Sequence, residues 1–234
     1  MVGYLVFLTI YVGLYALFAL GLNLQWGYAG LINFGHVAFM TVGAYTTVLL
    51  SSQGVPLVLA VVAGIAIATL LGLLIGMSTL RLREDYLAIV TIGVSEMLRL
   101  VALNEDWLTK GSFGVRGFPL PLERFDPNLM QKYLLIALLT LLAIFAAGQL
   151  WRGLRSQWQE GKEIQGTSYQ PTKIFSLVTW GIIGLGVILT IYLNGCAALL
   201  DYNYKAGLML LVLWTVAIVY WGLELLAKSP WGRV

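Results

Sequence analysis

The chain has 234 residues, of which 59% are hydrophobic and only 11% are charged, and its formal net charge is +3. A soluble domain carries about 25% charged residues, so this composition excludes a water-facing surface of ordinary size. The small net charge, without interleaved basic and aromatic residues, gives no indication of nucleic-acid binding. The single cysteine, Cys196, excludes an internal disulfide. The apolar, charge-poor composition therefore indicates a protein that is embedded in lipid.

Apolar segments long enough for membrane helices, which need about 20 residues, follow one another along the chain. Seven are predicted: Gly3–Leu24, Asn33–Leu50, Pro56–Leu80, Tyr86–Asn104, Met130–Leu150, Ile174–Leu199 and Ala206–Ala227. We therefore predict an all-α fold, a polytopic transmembrane bundle forming one domain over residues 1–234. The second segment is short and follows a glycine-rich stretch, so it is a candidate for a broken or re-entrant segment.

Polar stretches between these segments indicate how the chain is oriented. Glu105–Leu129 is rich in glycine and proline, which predicts a surface loop, and Trp151–Lys173 is predicted as a basic loop. Counting Lys and Arg on each side places the charged turn Arg81–Asp85 and residues 151–173 in the cytoplasm and residues 105–129 outside. The side of Met1 stays open, because a re-entrant second segment would reverse it.

A dense glycine pattern runs from Trp26 to Tyr45. Such glycines either let membrane helices approach closely or allow a break whose helix ends face a transport pathway. The residues proposed to lie near such a pathway are Gly27, Gly30, Asn33, His36 and Gly43. His36 is the only histidine, and it is either a hydrogen-bonded core residue or a lining residue.

Two ionisable residues, Glu96 and Arg99, stand inside the fourth apolar segment. Their spacing of three places them on one helical face, within reach of each other. Intramembrane charges usually face the protein interior or a water-filled cavity, so Glu96 belongs either to the pathway or to a structural ion pair. Arg99 has the further alternative of extending to the outer membrane interface.

Patterns that carry chemistry are missing from the sequence. It has no phosphate-binding GxxxxGK[ST] loop, no HExxH or CxxC, and no paired carboxylates or Ser-His-Asp arrangement at catalytic spacing. We predict no catalytic residue, no metal site, no cofactor and no enzyme activity.

Taken together, these segments resemble the LivM-type permease subunits of ABC importers for branched-chain and other neutral amino acids. The resemblance rests on LGLNLQWGYAGLINFGHVAFMTVGAY (20–45), on LRLREDYLAIVTIGVSEMLRLV (80–101) and on LTKGSFGVRGFP (108–119). KSPWGRV (228–234) is similar to the family's lead-in to the segment that couples to the ATPase. That likeness assigns coupling to Ser229, Pro230, Trp231, Gly232 and Arg233. Residues 151–205 match less well.

The resemblance implies an inner-membrane, multi-pass permease that works by alternating access. It implies a second permease subunit, two cytoplasmic ATP-binding subunits that hydrolyse ATP, and an extracytoplasmic solute-binding protein. The chain stops at Val234, before the family's coupling helix, so it is expected to correspond to an N-terminal part of a permease. Two alternatives stay open: the same transporter class acting on urea or short amides, and a structural membrane subunit that transports nothing.

Overall fold

The computed structural model describes residues 1–31, 33–79, 84–118, 120–123, 125–163 and 171–229. Within these ranges the regular structure consists of helices and contains no strand. The α-helices are α1 (Val2–Asn23), α2 (His36–Ser52), α3 (Leu57–Thr79), α4 (Glu84–Asn104), α5 (Asp106–Thr109), α6 (Leu129–Glu163), α7 (Pro171–Leu200) and α8 (Tyr204–Lys228). A π-helical turn, Leu24–Tyr28, continues α1, and a 3-10 turn, Gly111–Phe113, follows α5. The predicted all-α fold is confirmed.

Among the described residues, six helices are long and apolar enough to cross a membrane. They are α1 with its π-helical turn, α3, α4, α6, α7 and α8. The predicted second segment forms α2, which has 17 residues. At about 1.5 Å per residue it is about 25 Å long, shorter than the hydrocarbon core of about 30 Å. The polytopic bundle is therefore confirmed, and the chain between the π-helical turn and α2 is broken.

The segment 151–173, predicted as a loop, is helical wherever the structure describes it. Helix α6 continues from the membrane segment to Glu163, and α7 begins at Pro171. The loop prediction was wrong there because Arg, Gln and Glu end an apolar span without ending a helix, being good helix formers. Residues 164–170 lie outside the described residues, as do Arg81 and Arg83 of the predicted charged turn.

Helix starts near two connections carry side-chain caps. The backbone N–H of Asn128 donates to Gln131 Oε1 at 2.9 Å, the reach-back half of a capping box at the start of α6. The backbone N–H of Lys205 donates to Asn203 Oδ1 at 3.3 Å, which caps α8. These bonds satisfy donors that a helix leaves unpaired in its first turn.

The chain divides into two compact units. The first comprises residues 1–17 and the described part of 124–225. Its core joins α1, α6, α7 and α8 through buried apolar side chains: Val6, Leu139, Leu142, Leu199, Ala206, Met209 and Leu210. Gly195 permits this packing, since a Cβ there would lie 2.7 Å from Leu139 Cδ2. Lys132 Nζ also donates to the Leu200 carbonyl at 3.0 Å, which ties α6 to the end of α7.

The second unit contains residues 18–123 and the described residues from Leu226 onward. Here α2 and α3 form an antiparallel pair, joined by a short turn in which Gly54 has a φ of 88°. Helix α4 packs on α2, and its residue Thr91 is buried. This unit holds every residue that the sequence assigned to a pathway.

Candidate solute pathway

The helix break between α1 and α2 is built from a widened turn followed by a left-handed glycine. The π-helical turn Leu24–Tyr28 includes Gly27, and Gly30 has a φ of 66°, a conformation that glycine adopts without steric cost. The N–H of Leu31 then donates to the Gln25 carbonyl at 3.1 Å, which closes the break. The predicted break is thus present, and Gly27 and Gly30 both lie in it.

Asn33 is a buried polar residue inside the break, with 8% of its surface exposed. Its Nδ2 donates to Gln25 Oε1 at 3.1 Å, across the irregular segment. Its Oδ1 is buried without a hydrogen-bond partner among the described residues. Asn33 therefore fixes the shape of the break and keeps one acceptor available.

His36 begins α2 and lies among aromatic side chains. Its ring centroid is 4.5 Å from that of Phe18 and 6.1 Å from that of Phe39. Its Nε2 lies 3.0 Å from the position where Gly21 would carry a Cβ, so that glycine makes room for the imidazole. Nδ1 is buried without a described partner. The ring packs on the last turns of α1, an arrangement that joins the two sides of the break.

Close helix contacts account for the next glycines. A Cβ on Gly35 would overlap the Thr91 carbonyl, so the start of α2 lies directly on the α4 backbone. A Cβ on Gly64 would lie 2.6 Å from Thr47 Oγ1 and 2.8 Å from the Gly43 carbonyl. Gly43 and Gly64 thus form a small-residue interface between α2 and α3.

Glu96 and Arg99 form an ion pair on α4, as their spacing predicted. Arg99 Nη2 donates to Glu96 Oε1 at 2.6 Å, and Arg99 Nε donates to Oε2 at 2.8 Å. The pair is bidentate, yet 52% of the Glu96 side chain and 57% of the Arg99 side chain are left uncovered. Because the guanidinium binds the preceding turn, it does not extend toward the end of α4.

The loop after α4 is held by a residue that sequence reasoning missed. Thr109 is buried, and its hydroxyl lies 2.8 Å from the Ala102 carbonyl and 2.9 Å from the Glu105 carbonyl. The N–H of Gly111 donates to the same oxygen at 3.3 Å. An open depression beside it is lined by Asp106, Lys110, Phe113, Gly114 and Arg116. A lone threonine in a predicted loop gives no sequence signal for this anchoring.

A second missed residue is Glu224, near the end of α8. Gln149 Nε2 donates to Glu224 Oε2 at 3.4 Å, which links α6 to α8 within the first unit. Of the residues assigned to ATPase coupling, the structure describes Ser229, whose hydroxyl donates to the Leu226 carbonyl at 2.7 Å. Pro230, Trp231, Gly232 and Arg233 lie outside the described residues.

Comparison with protein families decides the class of protein. Residues 4–127, more than half of the chain, match the family described as the branched-chain amino acid transport system / permease component. The chain belongs to this permease family. The matched region includes the helix break, the Glu96–Arg99 pair and the loop anchored by Thr109, and it ends just before α6.

Two curated relatives support this assignment to the permease family. The high-affinity branched-chain amino acid transport system permease protein LivM of Escherichia coli (strain K12) is 32% identical over 177 residues, covering 64% of this chain and 42% of the relative. The protein of the same name from Salmonella typhimurium (strain LT2) has the same identity and coverage. This chain thus spans about two fifths of the length of these relatives. A search of solved structures gives no significant match.

Family membership and the six apolar helices together identify a multi-pass protein of the cell's inner membrane. The family is one of permease components, which are not themselves enzymes.

Proposed function

We propose that the chain forms the membrane-embedded part of an ATP-driven importer that moves branched-chain or other neutral amino acids inward by alternating access. The observation that carries this proposal is the family match over residues 4–127. The names of the two LivM relatives support the substrate class.

The proposed partners are those that the resemblance to this permease family implies. A second permease subunit completes the membrane pathway, and two cytoplasmic ATP-binding subunits hydrolyse ATP. An extracytoplasmic solute-binding protein delivers the amino acid to the side that carries the loop 105–129. We assign Ser229–Arg233 to coupling with the ATPases, as the resemblance implies.

The helix break is the proposed moving element of the permease. Alternating access requires two conformations of similar free energy whose balance the partners shift. A π-helical turn next to the left-handed Gly30 has fewer regular backbone hydrogen bonds than a continuous helix, so it can bend at a smaller cost. We place Gly27, Gly30, Asn33 and His36 at this joint, and Glu96 on the pathway wall.

Reconstitution tests the proposed function. The permease, its partner permease, both ATPases and the binding protein are placed in liposomes containing ATP, and uptake of each of the twenty common amino acids is measured. We expect uptake of leucine, isoleucine or valine that needs both ATP and the binding protein. Liposomes with a non-hydrolysable ATP analogue serve as the control.

The other outcomes separate the alternatives. Uptake of urea or a short amide, but of no amino acid, would assign this transporter class to a different solute. An assembled complex that hydrolyses ATP but takes up none of these solutes would contradict the import of amino acids. Failure to co-purify with ATP-binding subunits would favour a structural role.

A further inference from the structure

We infer that Glu96 and Arg99 bind the ammonium and carboxylate groups of a zwitterionic amino acid within the membrane, and that Gly93 leaves the space for its side chain. This inference rests on the proposed function and specifies how that function recognises its substrate. It is carried by the position of the ion pair, its free bonding capacity and the open notch beside it.

The ion pair lies in the middle of a membrane-spanning helix. The span of α4 runs from Tyr86 to Asn104, so Glu96 stands near its midpoint. Arg99 is directed toward Glu96 by two hydrogen bonds, which keeps the guanidinium away from the membrane interface. Charges at this depth mark interior cavities or solute paths, because hydrocarbon solvates them poorly.

Both partners of the pair retain unused bonding capacity. Arg99 has five N–H donors and directs two of them to Glu96, one to each carboxylate oxygen. Each carboxylate oxygen accepts one of these bonds and has a further lone pair. More than half of each side chain is uncovered, so these unused sites are accessible.

A zwitterionic α-amino acid offers the groups that these sites lack. Its ammonium supplies donors for Glu96, and its carboxylate supplies paired acceptors for the planar guanidinium. Ligand and pair both have zero net charge, so binding adds no net charge to the membrane interior. All α-amino acids share these two groups, so the pair recognises the class and leaves the choice of side chain to its surroundings.

Gly93 leaves an open space, or notch, on the surface of α4 beside the ion pair. It lies three residues before Glu96 and therefore on the same face of α4. A Cβ at Gly93 would meet nothing within 4 Å, so close helix packing among the described residues does not explain this glycine. Ile89 lies one turn before Gly93, and Leu100 lies one turn after Glu96. Both side chains are exposed and give an apolar lining for an aliphatic side chain.

Glu96→Gln and Arg99→Gln test the pair in the complete reconstituted complex, with leucine as the probe. Removing one member of a directly binding charge pair should lower uptake by about tenfold or more. ATP hydrolysis stimulated by the loaded binding protein should persist, because the pair acts on the solute and not on assembly. If either variant keeps wild-type uptake, the inference is overturned.

The double exchange Glu96→Arg with Arg99→Glu separates recognition from structural pairing. It preserves an ion pair but reverses its direction along α4, so a bound zwitterion would turn its side chain away from the Gly93 notch. We expect an assembled, ATP-hydrolysing complex with low uptake. Recovery of uptake, or loss of the assembled complex in both the exchange and the Gln variants, would make the pair structural and overturn the inference.

Gly93→Leu tests the notch. Uptake of leucine and isoleucine should fall relative to uptake of alanine, while a pathway without such a notch would leave this ratio unchanged. Gly186→Leu is the matched control, since Gly186 is also exposed within a helix and has nothing within 4 Å of its Cβ position. The variants are compared only once uptake by the wild-type complex is established. If the wild-type complex imports no amino acid at all, the proposed function fails instead of this inference.

Discussion

At the scale of single residues, Thr109 illustrates how one hydroxyl orders a surface loop. It is 3% exposed and bonds to the last turn of α4 and to the start of the glycine-rich stretch. Lys110, next to it, has a φ of 63°, which few non-glycine residues adopt. The loop therefore holds a defined shape on the side proposed to face the binding protein.

Thr109→Val should loosen this loop. The substitution keeps the volume but leaves the buried N–H of Gly111 without its acceptor and removes the hydroxyl donor from the Ala102 carbonyl, at a cost of about 1–3 kcal/mol. Hydrogen exchange over residues 105–118 should accelerate in the purified protein. Thr109→Ser should retain most protection, and Ser112→Ala, at an exposed position, should change nothing. Equal protection in Thr109→Val and wild type would contradict this role.

Tyr202 presents the opposite case, a hydroxyl that is buried without a described partner. It lies in the connection between α7 and α8, and its ring stacks edge-on against Phe125 at 5.8 Å. Burial raises the pKa of the Tyr202 phenol above its ordinary value. The folded state thus holds this proton more tightly than the unfolded chain, so stability falls once the pH rises above about 10.

Tyr202→Phe should keep the ring contact and remove the unsatisfied hydroxyl. We expect the variant to be as stable as wild type or more stable by about 1 kcal/mol. It should also lose less stability than wild type between about pH 8 and pH 11, because position 202 then carries no phenol that ionises in this range. Thermal unfolding in detergent measures both effects. A variant that is clearly less stable at about pH 8 would show that the hydroxyl has a partner.

The sequence predicts residue contacts only where they are local. The Glu96–Arg99 bond follows from a spacing of three on one helix. The exposure of that pair, the aromatic surroundings of His36 and the contact of Gly35 with Thr91 depend on how separate helices pack, which no local pattern encodes. The same reason explains why Glu224, whose partner Gln149 lies on another helix, carried no signal.

At the scale of helices, hydrophobic length predicts where a span lies but not where its helix ends. The predicted segment Met130–Leu150 is the apolar part of a helix that continues to Glu163. A 35-residue helix is about 52 Å long, so α6 extends about 20 Å beyond a hydrocarbon core of about 30 Å. Polar helix formers extend the helix into water, where the hydropathy signal has already stopped.

The contact of α2 with α3 depends on glycine at one position more than at another. Gly64→Ala places a methyl group 2.6 Å from Thr47 Oγ1 and should destabilise the protein by about 1–3 kcal/mol. Gly72→Ala, two turns further along α3, meets Phe39 at an ordinary 3.6 Å and should be neutral or stabilising by up to about 1 kcal/mol. Thermal unfolding of the two variants compares them directly, and equal effects would contradict the close-contact interpretation.

At the scale of the whole molecule, charge distribution predicts sidedness. We expect the loop 105–129 on the outside and the polar end of α6 in the cytoplasm, in agreement with the excess of Lys and Arg on that side. This orientation also places the anchored loop where a binding protein would dock.

Cysteine labelling tests the orientation. In a Cys196→Ser background, Ser112→Cys should react with a membrane-impermeant maleimide in intact cells, and Ser156→Cys should react only after the membrane is permeabilised. Both serines are exposed, so reactivity reports the side of the membrane and not burial. The reverse pattern would invert the proposed topology.

The π-helical turn Leu24–Tyr28 has a geometric consequence for the joint between α1 and Gly30. A π-helical turn accommodates one residue more than an α-helical turn does. If the π-helical turn relaxed to α geometry, the extra residue would become part of the break. The last turns of α1 would then rotate by about 100° relative to the break. Trp26 and Tyr28, both largely uncovered, would then point in new directions, and the contact of Phe18 with His36 across the break would have to change as well. The extra residue in the π-helical turn therefore allows α1 to rotate relative to the break by a fixed amount, and not by a continuous bend.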